Sequence, residues 1–239
     1  MITGMIPALA DLVRQRQAEL DKQIGAWRQG AGAGVRLWCG PGCGNCCTLA
    51  VNATLAEALA IAGRLDAGQR QQLTATTARI VAHARSCADA REFLAGYRQA
   101  VGPCPFLDTQ ANCSIYKHRP LACRALLATR PADWCGVNLA ALPAFERDAF
   151  LASLDRKVVA FPTHYAAAPQ DLAADFERGL IIAMLRFTGF GAAGNLPLLA
   201  WLCGQAGFDE ALAGGVDTFQ ALLVSHQIDR SFLVQIDTP

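Results

Sequence analysis

Residues 39–47 read CGPGCGNCC, four cysteines in nine positions with three glycines among them. Glycine is a poor helix former and gives a strand interior nothing to pack, so this run is neither helix nor strand. It is a loop whose path is set by what its thiols bind. Glycine at 40, 42 and 44 tolerates positive φ and lets a backbone pass close to a bound group. About 60 residues later comes a second set: Cys104, Cys113, Cys123 and Cys135. The other two of the ten cysteines, Cys87 and Cys203, stand alone among apolar residues and read as small buried hydrophobes.

Disulfides, metal binding and nucleophilic catalysis could each account for such a pattern. The N-terminal stretch MITGMIPALADLVRQRQAELDKQ carries Asp11, Glu19 and Asp21 and has no basic, apolar and cleavage regions in series. We therefore expect a cytoplasmic protein, and the cytosol keeps thiols reduced. Catalysis by cysteine needs a base and an orienting partner. The four histidines, His83, His118, His164 and His226, are scattered without a motif. Only His118 lies near the cysteines, in YKHRP, where it reads as a solvated loop residue. No catalytic residue is assigned.

Metal binding remains, with Cys39, Cys43, Cys46, Cys47, Cys104, Cys113, Cys123 and Cys135 as ligands. Adjacent side chains diverge, so Cys46 and Cys47 do not both face one ion: one faces the first metal, and the other a second metal or the support of the site. Eight thiols suit two four-ligand centres. Both zinc and iron–sulfur clusters accept all-cysteine shells. The absence of histidine within either set favours iron–sulfur, as one or two 4Fe-4S clusters, with zinc the alternative. Four thiolates around Zn²⁺ or an oxidised four-iron cluster leave a charge of about −2 to be balanced. Arg119 and Arg124, beside Pro120 and Cys123, are expected to do this through hydrogen bonds to sulfur or backbone. Lys117 reads as an ordinary solvated loop charge.

The rest of the chain reads as helix, and the fold class is all-α: a helical domain with irregular cysteine-rich loops. Leu9, Leu12, Val13, Leu20, Ile24 and Trp27 recur at near-helical intervals over PALADLVRQRQAELDKQIGAW. Thr54 and Glu57 form a capping-box pattern ahead of ALAIAGRL, so a helix should begin just after the first cysteine set. Residues 68–99 read as one long or broken helix, and Pro120 opens a helix at LACRALL. Four more helices are expected in PAFERDAFLASLDRKVV, PQDLAADFERGLIIAMLRF, LPLLAWLCGQ and DTFQALLVSHQI. Three segments result: an N-terminal helix over 1–35, a cysteine-cluster module over 36–136 and a helical region over 137–239.

At 53% hydrophobic and 17% charged residues the chain has the make-up of a folded protein. Its net charge of +1 gives no field that would draw it to nucleic acid or an anionic bilayer, and neither is expected as a partner. The most apolar stretch, Leu180 to Cys203, is interrupted by Arg186, Asn195 and Pro197. It is expected to form two buried helices around a glycine-rich turn rather than a membrane span.

CGPGCGNCC followed by CPFLDTQANCSIYKHRPLACR resembles the cysteine-cluster family of zinc- or iron-chelating domains, often termed YkgJ-like. Its pattern is CxxCxxCC, then CPFL, C, IY, RP and CR. The likeness runs from Leu37 to Cys135, with one departure: three residues separate Cys39 from Cys43 where the family has two. The resemblance implies a metal or iron–sulfur binding module. The family also includes flagellin lysine N-methylases, associated with an iron–sulfur cluster and S-adenosylmethionine. A protein-modifying enzyme is therefore the alternative, although no glycine-rich nucleotide loop follows a strand here. A protein partner or substrate is left open.

Overall fold

The amphipathic N-terminal stretch forms α1, Ile2–Gln29, which begins ahead of Pro7 and carries that proline inside it. Leu9, Val13, Leu20 and Ile24 are buried, and they seat the helix against two helices described below, Leu55–Ala62 and Ala167–Thr188. The computed structural model describes residues 2–40 and 42–239. Met1, the start of the expected 1–35 segment, and Pro41 of the cysteine loop lie outside them.

After the first cysteine set and a 3₁₀ turn at Asn45–Thr48, strand β1 (Asn52–Thr54) leads directly into α2 (Leu55–Ala62). The expected capping box is present. The Glu57 amide donates to Thr54 Oγ1 at 3.3 Å, and the Glu57 carboxylate accepts the Thr54 amide at 2.9 Å. Residues 68–99 form a broken helix: α3 (Ala67–Ser86) and α4 (Ala90–Ala100), the second started by the Asp89 side chain. An irregular loop carries Cys104 and Cys113, and Pro120 caps the short α5 (Leu121–Ala125). There follow α6 (Ala144–Ala152), α7 (Ala167–Thr188), strand β2 (Gly191–Asn195), α8 (Leu196–Leu202), α9 (Phe208–Ala213), α10 (Val216–Ser225) and strand β3 (Val234–Asp237).

The fold is thus mostly helical, as expected, with ten α-helices and one small sheet among the described residues. The glycine-rich stretch between α7 and α8 is a correction to the sequence reading. It is not a turn but the central strand of an antiparallel sheet ordered β1-β2-β3, with Asn52 opposite Asn195 and Gly194 opposite Val234. The reason is steric. A Cβ on Gly194 would stand 2.2 Å from the Leu233 carbonyl oxygen, and one on Gly191 would stand 2.6 Å from Ile181 Cγ2. Only a strand with almost no side chain fits between such close neighbours. No helix among the described residues is long and apolar enough to cross a membrane.

The main core joins α1 to α5 and α7 to α10 around buried Phe190, Phe208 and Phe219, with three smaller clusters beside it. Glu57 ties this core to the cysteines. Fully buried, its carboxylate accepts the Thr54 amide and hydroxyl on one oxygen and the Leu121 amide, at 2.8 Å, on the other. The start of α2 thereby holds the start of α5, which carries Cys123.

Candidate metal centre

All eight clustered cysteines line one cavity of about 580 Å³, and Cys87 and Cys203 do not. The cavity forms because the two cysteine-bearing stretches fold against each other. The Cys104 amide donates to the Cys47 carbonyl at 2.8 Å, and Asn45 Nδ2 donates to the Ala132 carbonyl at 2.9 Å. The loop makes its turn at Gly42, with φ of +75°. Gly44 passes close to Leu107, whose Cδ2 would lie 3.0 Å from an added Cβ. Gly40 has neither requirement.

The charge that each thiol feels shows which sulfurs are neighbours. Cys135, from the second set, is influenced by Cys46, Cys39 and Cys43 of the first. Cys104 is influenced by Cys113 and Cys46, and Cys123 by Cys104, Cys46 and Cys113. Space therefore regroups the sequence: Cys135 joins the first set, and Cys46 borders both groups.

Burial raises the proton affinity of Cys39, Cys46, Cys104, Cys113, Cys123 and Cys135, and repulsion from neighbouring thiols adds to it. Cys104 is pushed up to about 12 and Cys135 to about 11, chiefly by burial, and Cys123 is held well above the usual thiol range. Cys46 is also raised well above that range, first by its interaction with Cys47 and then by burial. Such a set ionises only when a cation takes the place of the protons. A wall of thiols that runs from exposed Cys39 to buried Cys135 fits an all-cysteine metal or cluster shell. Among the described residues, no three Cys, His, Asp or Glu side chains meet closely around one point; the sulfurs instead ring a void.

The two arginines are placed differently. Arg119 lines the cavity with its guanidinium 4.2 Å over the Tyr116 ring, and its charge lowers the proton affinity of Cys39, Cys46, Cys113 and Cys123. Its Nε is buried without a hydrogen-bond partner. Arg124 is spent on the backbone and on α1. It donates to the Arg119 carbonyl at 3.0 Å and the Lys117 carbonyl at 2.6 Å, and pairs with Asp21. Gln17 of α1 also donates to the Arg119 carbonyl, at 3.2 Å. Arg124, Gln17 and Asp21 together clamp the turn that aims Arg119. His118 sits on this turn, where burial and the surrounding arginines lower its proton affinity.

Sequence reasoning missed several residues around the cavity. Tyr97 and Tyr165 line it. Tyr97 Oη accepts from Asn195 Nδ2 at 3.2 Å, and burial pushes the phenol up to about 12. His164, read as one of four scattered histidines, lies with its Nε2 3.2 Å from Cys135 Sγ. Asp21 and Gln17 had no signal beyond their place on the polar side of α1. At the other end of the loop, Cys39 Sγ accepts the Ala128 amide at 3.2 Å.

Residues 38–140 match the family model CxxCxxCC, described as a "Putative zinc- or iron-chelating domain". The match covers the whole of both cysteine sets, and the YkgJ-like resemblance fits it. No curated protein and no solved structure matches the chain.

Proposed function

We propose that the protein holds one or two iron–sulfur clusters in the cysteine-lined cavity, as a binding module whose ligands come from both cysteine sets. The observation that carries this reading is the convergence of all eight clustered cysteines, and no other cysteine, on one void. Sulfurs that ring a void suit a multi-atom cluster better than a single zinc ion, whose thiolates must all approach to about 2.3 Å of one point. The cluster would supply an electron-accepting or metal-holding centre. The chain's own residues bind it through the thiolates and offset its charge with Arg119. In this reading residues 36–136 are the metal-binding module, with 1–35 and 137–239 packed on it as flanks, in a reducing, cytoplasmic setting.

The test is metal analysis of protein purified without oxygen. Iron with acid-labile sulfide, at one or two centres per chain, is expected. Zinc without sulfide would select the zinc form of the site, and less than half an equivalent of any metal would overturn metal binding.

A second reading, an iron–sulfur-dependent enzyme that modifies a protein, such as a lysine N-methyltransferase, draws on the polar groups that share the cavity wall with the thiols, Arg119, Tyr97 and Asn112. A structural centre would close fully around its metal, whereas an enzyme keeps room beside it. Binding of S-adenosylmethionine to the loaded protein, measured by calorimetry, would favour this reading, and no binding would remove it.

A further inference from the structure

Cys135 differs from the other cavity cysteines in what stands behind its sulfur. His164 Nε2 is 3.2 Å from Sγ, and Tyr165 packs against the same cysteine. Both residues lie beyond the matched segment 38–140. They reach the site because Tyr165 bridges Ala128 and the His164 carbonyl accepts the Thr129 amide at 2.9 Å and hydroxyl at 2.8 Å.

The imidazole is held from every side. It stacks on the Tyr165 ring at 4.5 Å, meets Phe150 edge-on at 5.9 Å and is only 5% exposed. Cys135 is equally fixed, with its carbonyl accepting from Arg98 Nη2 at 2.7 Å. Cys135 and Tyr165 face the cavity, whereas His164 is not part of its wall. The ring therefore stands behind the sulfur, where it can donate a hydrogen bond to a ligating thiolate without competing for the metal. A metal-bound thiolate has no proton of its own and can only accept. Donors to ligating sulfurs orient them and tune the metal, and their loss typically weakens metal affinity by about 10–100-fold.

We propose that His164 is a positioning residue for the centre: it donates Nε2–H to the Cys135 thiolate and sets how tightly this end of the centre holds metal. The proposal rests on the metal-binding reading above. It gives the C-terminal region a direct part in a site whose ligands all lie within the matched segment.

The test uses the full-length chain reconstituted with Co²⁺, titrated against a chromophoric chelator at fixed pH. His164→Ala should still bind the wild-type number of Co²⁺ ions at saturation, with affinity lower by about 10–100-fold. Its sulfur-to-cobalt charge-transfer band should move to longer wavelength, because a thiolate without its donors gives up electron density more easily. His164→Gln, which restores an N–H, should recover part of the loss. If the wild type takes up neither Co²⁺ nor, on anaerobic reconstitution with iron and sulfide, a cluster, the metal-binding reading itself falls; if it takes up only the cluster, the same variants are compared by chelator competition for its iron. If the wild type binds and His164→Ala matches it within twofold with an unshifted band, the role given to His164 is refuted. Should His164→Ala not fold, His164→Phe, which keeps a ring in the packing but has no N–H, decides: wild-type affinity and spectrum in it refute the proposal.

Discussion

Replacing Glu57 with glutamine tests the link between the helical core and the cysteine site. The buried carboxylate accepts three hydrogen bonds, from the Thr54 amide, the Thr54 hydroxyl and the Leu121 amide. A glutamine of the same shape has one acceptor oxygen. In its better orientation that oxygen keeps Thr54, and the NH₂ group is turned against the Leu121 N–H. One buried donor is then orphaned, at about 1–3 kcal/mol. At about 2 kcal/mol a chain of this size should melt about 4–8 °C lower. Leu121 opens α5, which carries Cys123. Because ordering ligands is part of metal binding, the same 2 kcal/mol, if all of it is expressed in α5, weakens metal affinity by about 30-fold. Thermal melts of the loaded protein at pH 7 and chelator competition read the two effects. Burial raises the proton affinity of Glu57, while its three donors and Arg124 oppose that rise. A Glu57→Gln variant melting within 1 °C of wild type would mean that Glu57 is already protonated in the fold, and the three-acceptor account would be refuted.

Cys46→Ser and Cys123→Ser should each lower metal content and melting temperature, whereas Cys203→Ser, outside the cavity, should keep its metal; equal loss in all three would abolish the division between ligands and core cysteines. Gly194→Ala should destabilise the protein by about 3 kcal/mol or more in denaturant titrations, since overpacking alone costs about 1–3 kcal/mol and the added methyl meets backbone rather than a side chain that could rotate away; a loss under 1 kcal/mol would show that β3 can shift. Burial, and then the charge of Glu57, push Glu177 up to about 7 from an ordinary 4.5. The folded state then holds a proton that the unfolded chain has released, so the stabilisation present below pH 4.5 is lost as pH rises to about 7. Melts from pH 4 to 8 should show a shallower decline for Glu177→Gln than for wild type, and parallel curves would refute the shift.

Local chemistry made part of this legible. Thr54 and Glu57 announce a helix start because the capping box is closed by residues three apart, and Pro120 marks the start of α5 through its fixed φ. Spacing singled out the eight cysteines that line the cavity, although not their spatial groups. Cys135 joins Cys39, Cys43 and Cys46 only through long-range packing. The sheet was hidden because Gly191 to Gly194 carry no apolar alternation: their smallness serves neighbours far along the chain, such as Leu233. His164 was invisible for the same reason, since 29 residues separate it from the thiol it meets and nothing in THY records that meeting.

The order of the sheet has a consequence for biosynthesis. β1 leaves the cysteine loop and pairs with β2, whose other edge is covered only by β3 near residue 237. Every cavity cysteine is synthesised at least about a hundred residues before that strand, an interval of about 5–20 s for the last of them at usual elongation rates. During that interval the thiols are present while the sheet behind them is unfinished, so a metal or cluster delivered to the nascent chain meets a more open cavity than one delivered to the finished fold. The last strand made is thus the one that closes the free edge of the sheet's central strand.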